Sequence, residues 1–146
     1  VTEAVQNGTV DAGVLIHEGQ IQSTELGLNR VLDLGETWFQ DTQLPIPLGL
    51  DMIHRRLGDE LSKQIATALR DAIVYSRSHE DDALDYALEF GRGIDRETGR
   101  KFVRMYVNED TVDFGEDGRR ALETLYQRAA ELNIIPEVPP LDIIEI

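Results

Sequence analysis

Apolar residues fall into short unbroken runs in the first third of the chain and recur at helical spacing after it, and the two patterns predict different structure. Ala12-Gly13-Val14-Leu15-Ile16 is continuous and follows a glycine turn, the pattern of a strand buried on both faces in a sheet flanked by helices. It breaks off at polar His17-Glu18-Gly19. Arg30-Val31-Leu32-Asp33-Leu34 predicts a second strand, followed by a short helix through Glu36-Thr37-Trp38-Phe39-Gln40. A third strand is predicted over residues 46–54, entered through Pro45 and Pro47, where missing amide donors are tolerated. Ahead of these runs, Val1-Thr2-Glu3-Ala4-Val5-Gln6-Asn7-Gly8 reads as the last turns of a helix closed by glycine. With no initial Met, this predicts a chain that starts partway through something larger.

From Gly58 onward the period is helical. Leu61, Ile65, Ala68, Leu69 and Ala72 share one face, behind Asp59 and Glu60, whose charge suits the positive end of a helix dipole. Ser78 and Asp81 have the spacing of a capping box for a second helix, which Gly91 stops after Ala83, Ala87, Leu88 and Phe90. A third helix is predicted over residues 96–107, burying Phe102, Met105 and Tyr106. A fourth, over residues 116–132, carries Ala121, Leu122, Leu125, Ala129 and Leu132 on one side. The tail, residues 136–146, alternates like an edge strand or a packed terminal arm. The class implied is α/β with a helix-rich carboxyl-terminal half, and no repeat or linker divides the chain into two domains.

Composition narrows the function classes. Of 146 residues, 28 are acidic and 14 basic, a net charge of -14, with no long basic run to displace counterions from phosphates. Nucleic acid and anionic membrane surfaces are therefore not expected partners. The absence of cysteine excludes a disulfide framework, a thiolate nucleophile and cysteine-based metal sites. No apolar run approaches the roughly 18 residues of a bilayer span, and the amino terminus does not have a signal-peptide pattern, so the expected location is cytoplasmic.

The three histidines are the side chains whose ordinary pKa lies near neutrality. His17 follows directly on the first predicted strand, and ligands of open α/β sheets gather outside the carboxyl ends of strands. On spacing alone, the plainer reading of His17 and Glu18 as the polar start of a loop outweighs a catalytic one. His54 stands next to Arg55-Arg56, whose charge hinders protonation, and reads as a polar strand end. His79 lies in the surface capping sequence Ser78-His79-Glu80-Asp81. No pair of histidines has the spacing of a helical metal site, and no phosphate loop or nucleophile elbow is present. Glu80, Asp81, Asp82 and Asp85 read as a solvated first turn, and Trp38 and Phe39 as core. Leu44-Pro45-Ile46-Pro47-Leu48-Gly49 fits a rigid crossover, a pocket wall or a simple strand entry.

Four stretches together resemble 1,4-dihydroxy-6-naphthoate synthase of the futalosine route to menaquinone. They are residues 8–18, ending in Ile16-His17-Glu18; Leu26-Gly27-Leu28 with residues 31–38; residues 44–49 leading to Arg55-Arg56-Leu57-Gly58; and Tyr106-Val107-Asn108. The resemblance implies part of a two-lobed fold like the type 2 periplasmic binding proteins, with roughly the amino-terminal half absent. It also implies a lyase that converts cyclic de-hypoxanthine futalosine, a small anionic substrate, without metal or cofactor. The family's histidine base falls on His17, which reverses the reading from spacing alone. The implied substrate-binding positions are Glu18, Leu48 and Gly49. Many members continue after the His-Glu pair toward a Thr-Tyr pair where this chain has Gln20-Ile21-Gln22-Ser23-Thr24, and Phe39 stands where a second Trp is common. A solute-binding clamshell without chemistry and the sister enzyme chorismate dehydratase are the alternatives. The sister resembles Ile-Gly-Asp at the matching strand and lacks the histidine.

Overall fold

The computed structural model describes residues 1–16, 20, 26–91 and 93–146, and these divide into two compact units. The first comprises Val1–Asp33 with Glu80–Tyr106, the second Leu34–His79 with Val107–Ile146. Among the described residues the regular structure is helical, with no β-ladder.

In the first unit, α1 (Thr2–Gln6) is followed by a turn in which Gly8 takes a positive φ, as the glycine stop predicted. The other helices of this unit are α2 (Glu80–Leu88) and α3 (Arg96–Tyr106). Asp95 caps α3: its Oδ1 accepts from the backbone N–H of Glu97 at 2.9 Å and of Thr98 at 3.0 Å. The Thr98 hydroxyl donates to Asp95 Oδ2 at 2.6 Å, and this bond, more than any other contact, lowers the Asp95 pKa. The buried face of α3 includes Gly99, with Phe102, Val103 and Tyr106 half-buried beside it. A Cβ on Gly99 would lie 2.8 Å from Leu88 Cδ2 and 3.6 Å from Leu84 Cδ1, so the glycine allows α3 to approach α2 closely over Leu84, which is 2% exposed. Met105, expected inside, is exposed.

The second unit contains α4 (Leu34–Thr42), a 3-10 turn (Arg55–Leu57), α5 (Gly58–Ser78), α6 (Glu109–Val112) and α7 (Gly115–Glu131). Its buried apolar residues are Leu44, Ala121 and Leu122. The face of α7 is as its periodicity predicts, except that Leu132 lies past the helix end and is exposed. Asn108 caps α6, accepting from the Asp110 N–H at 2.9 Å while its own N–H donates to Thr111 Oγ1 at 3.2 Å. Arg77 at the end of α5 pairs with Glu109 at the start of α6. The tail carries no regular secondary structure and is held by pairs between Arg55 and Asp142 and between Arg119 and Glu145.

Three sequence expectations need correction. The α/β class does not describe these residues: the predicted strands at 12–16, 30–34 and 46–54 carry no regular secondary structure, and Leu34 already belongs to α4. A strand exists only when a second strand satisfies its amides and carbonyls, and no such partner lies among the described residues. Their side chains stay open accordingly, with Val31 89% and Met52 90% exposed. On α5 the apolar stripe Leu61, Ile65 and Leu69 is exposed, while Ser62 is buried and Ala66 and Ile73 are half-buried. Periodicity located the helix but not the side that finds neighbours. Ser78 is not the cap of the second predicted helix. It is the last residue of α5, and its hydroxyl donates back to the Tyr75 carbonyl at 2.7 Å.

Candidate functional site

The acidic first turn of α2 is paired rather than merely solvated. Glu80 accepts from Arg104 Nε at 2.6 Å and Arg104 Nη2 at 2.7 Å, and from Arg100 Nη1 at 2.7 Å. Asp81 accepts from Arg100 Nη2 at 2.8 Å and Arg96 Nη2 at 3.0 Å, and Arg96 also pairs with Asp85. The Arg104 hydrogen bond chiefly holds the Glu80 carboxyl well below its ordinary range, at about 2. Asp81 is lowered as well, first by Arg100 and then by Arg96. Arg96, Arg100 and Arg104 recur every four residues, so one face of α3 presents all three guanidinium groups. Sequence reading treated the acids alone; the i, i+4 arginine row was the signal that would have identified their partners.

This network fixes α3 on α2 and so places Tyr106, the last residue of α3. The Tyr106 hydroxyl donates to the Ile16 carbonyl at 3.0 Å and accepts from Gln20 Nε2 at 2.8 Å. Its ring lies 4.8 Å from that of Phe102, centroid to centroid. His17 and Glu18, the predicted base and its neighbour, lie outside the described residues.

Leu48 and Gly49 belong to the second unit and are both exposed. Nothing lies within 4 Å of a Cβ built on Gly49. The segment before them is anchored by Trp38, whose indole N–H donates to the Pro45 carbonyl at 2.9 Å. Arg128 lies over the Trp38 ring at 5.4 Å and pairs with Asp41. Trp38 is thus a half-buried strut, whereas Phe39, also expected in the core, is exposed.

The other histidines have structural partners. His54 Nδ1 accepts from the Arg56 N–H at 3.2 Å and caps the 3-10 turn. His79 stacks on Tyr75, its ring centroid 4.0 Å away, at the end of α5. Among the described residues no cluster of His, Asp and Glu is arranged to hold a metal ion, and no helix is long and apolar enough to cross a membrane.

Comparison with known proteins defines the class: a family described as "Menaquinone biosynthesis" matches residues 1–131, and the chain belongs to that family. Within it, the chain is a partial homologue of 1,4-dihydroxy-6-naphthoate synthase. It is 35% identical to the "1,4-dihydroxy-6-naphtoate synthase" of Streptomyces coelicolor over 140 residues, covering 96% of this chain and 50% of that protein. The protein of the same name from Thermus thermophilus is 37% identical over 125 residues, covering 86% of this chain and 46% of the relative. The chain therefore spans about half the length of these relatives. A crystal structure of an Archaeoglobus fulgidus protein superposes with a TM-score of 0.89 at 41% identity, over 92% of this chain and 51% of that one.

Proposed function

We propose that the chain carries the general-base half of a 1,4-dihydroxy-6-naphthoate synthase, a lyase acting on cyclic de-hypoxanthine futalosine within a two-lobed clamshell. The observation that carries this reading is the identity of 35% and 37% to two proteins of that name over nearly the whole chain, in a sequence that includes Ile16-His17-Glu18. The apolar stretches around residues 12–16, 30–33 and 46–53 fit it, because segments of strand composition outside any ladder can join a sheet once the other half of such a protein supplies neighbouring strands.

In this reading the neutral imidazole of His17 takes a proton from the substrate. The electron pair left behind drives elimination and carbon–carbon cleavage, giving 1,4-dihydroxy-6-naphthoate and a small sugar-derived product. Glu18, Leu48 and Gly49 are the substrate-binding positions. The overall charge of -14 opposes an anionic substrate, so local donors must hold it.

The test is a fusion in which this chain replaces the matched half of the Streptomyces coelicolor relative. His17→Ala should lower formation of the naphthoate at least about 100-fold, the lower range for loss of a general base, with the circular dichroism spectrum unchanged. Turnover within a few-fold of the parent fusion would overturn the role of His17.

A further inference from the structure

We infer that Arg128 of α7 is a positioning residue for Leu48 and Gly49, acting through Trp38; the inference rests on the reading of those two residues as substrate-binding positions. Its guanidinium lies over the Trp38 ring, 5.4 Å from the centroid, and also pairs with Asp41, one turn further along α4. One side chain thus clamps both positions of α4. A cation over the face of an indole leaves the ring edge, with its N–H, free to hydrogen-bond elsewhere.

The clamped ring holds the start of the proline segment. Its indole N–H donates to the Pro45 carbonyl at 2.9 Å. The Trp38 carbonyl accepts from the Thr42 hydroxyl at 2.7 Å, and that hydroxyl accepts from the Leu44 N–H at 3.2 Å. Gln43 between them takes a left-handed φ of 57°, and its side-chain amide donates back to the Phe39 carbonyl at 2.9 Å. The chain therefore leaves α4 through a turn bonded by side chains and backbone alike, with Leu44 buried beneath it. Beyond this turn, Pro45 and Pro47 each have a fixed φ, and Leu44 and Ile46 are restricted because each precedes a proline. Four consecutive residues with few backbone states carry the orientation of the anchored carbonyl to Leu48. Leu48 is 66% exposed, and a Cβ on Gly49 would meet nothing within 4 Å, so packing at these two residues does not set where they stand. The clamp behind Pro45 does. All of these residues belong to the second unit.

The chain in solution supplies the test, because its single Trp gives an unambiguous indole signal. Arg128→Gln keeps a long side chain but removes the cation that Trp38 and Asp41 share. It should shift the indole N–H resonance and lower the amide order parameters of Leu48 and Gly49 from about 0.85 to below about 0.6. Arg128→Lys keeps the charge without the planar fork and should fall between. Arg120→Gln, which removes a pair with Asp117 elsewhere on α7, should change neither signal. In the fusion with the relative, Arg128→Gln should raise KM at least about threefold with kcat within about twofold, the split expected when binding and not proton transfer is lost. A purely structural Arg128 would lower the thermal midpoint and leave the order parameters and KM as in the parent. Order parameters for Leu48 and Gly49 equal in the parent and Arg128→Gln would overturn the clamp, and an unchanged KM would overturn its bearing on the substrate. A fully active His17→Ala fusion, by contrast, would strike the lyase base and leave the role of Arg128 to be decided by the order parameters and KM.

Discussion

Arg104 grips Glu80 in a fork, its Nε donating to Oε1 at 2.6 Å and its Nη2 to Oε2 at 2.7 Å, and so joins the end of α3 to the first turn of α2. Two parallel charge-assisted bonds fix orientation as well as distance, which a single ammonium does not do. Arg104→Lys should therefore lower the thermal midpoint followed by circular dichroism, and Glu80→Gln should lower it further because Arg100 loses a partner too. Asp82→Asn, beside the paired cluster, should change it least. Equal midpoints for all three would show that the network contributes nothing beyond solvated charge.

Acid should dissolve the same link. The Glu80 carboxyl has a folded-state pKa of about 2, below its ordinary value of 4.5, because Arg104 and Arg100 donate to the ionised form. A depressed carboxylate stabilises the fold fully above its unfolded pKa and loses that contribution as pH falls through the folded one. Chemical denaturation of the parent should thus show stability declining from about pH 4.5 toward 2. The Glu80→Gln variant should show a shallower decline over the same window, and parallel curves would count against the assignment.

Leu84 in the first unit and Leu122 in the second are buried leucines, 2% and 4% exposed. Truncating either to alanine removes apolar contacts and leaves a cavity, an expected cost of about 2–5 kcal/mol. Leu69→Ala, on the exposed face of α5, should cost under about 0.5 kcal/mol. Urea denaturation of the three variants checks the order.

Trp38 holds the proline segment by one indole hydrogen bond to the Pro45 carbonyl. Trp38→Phe keeps an aromatic ring beneath Arg128 but removes that donor, an expected loss of about 1 kcal/mol in urea denaturation. Amide exchange should rise for residues 46–50, where Leu48 and Gly49 lie open, and stay unchanged near Leu84. A uniform rise across the chain would point to general loosening instead.

The helices were legible because their hydrogen bonds close within four residues and their stops are local. Gly8, Gly91 and the spacing of Ala121, Leu122 and Leu125 located α1, the neighbourhood in which α2 ends, at Leu88, and the face of α7. Asn108 is also a local signal, a short side chain reaching the next backbone amides, and reading it would have placed α6; Asp95 is another, at a helix start that periodicity had already placed at residue 96. The bridge from Tyr106 to Ile16 and Gln20 had no such signal, since a tyrosine at a helix end does not announce a partner 90 residues away.

The sequence by itself determined the positions of the longer helices, the acidic surface, the absence of cysteine chemistry and the motif containing His17, all of which depend on residue type and short spacing. Only the tertiary structure decided which apolar runs found neighbours. Residues 12–16 and 30–33 have strand chemistry but form no ladder among the described residues, Leu61 and Leu69 remain outside, and Glu80 is claimed by Arg104 from 24 residues away. Strand pairing, burial and ion pairing are contacts between distant positions, and a periodic sequence specifies that a face wants a partner without specifying which one it meets.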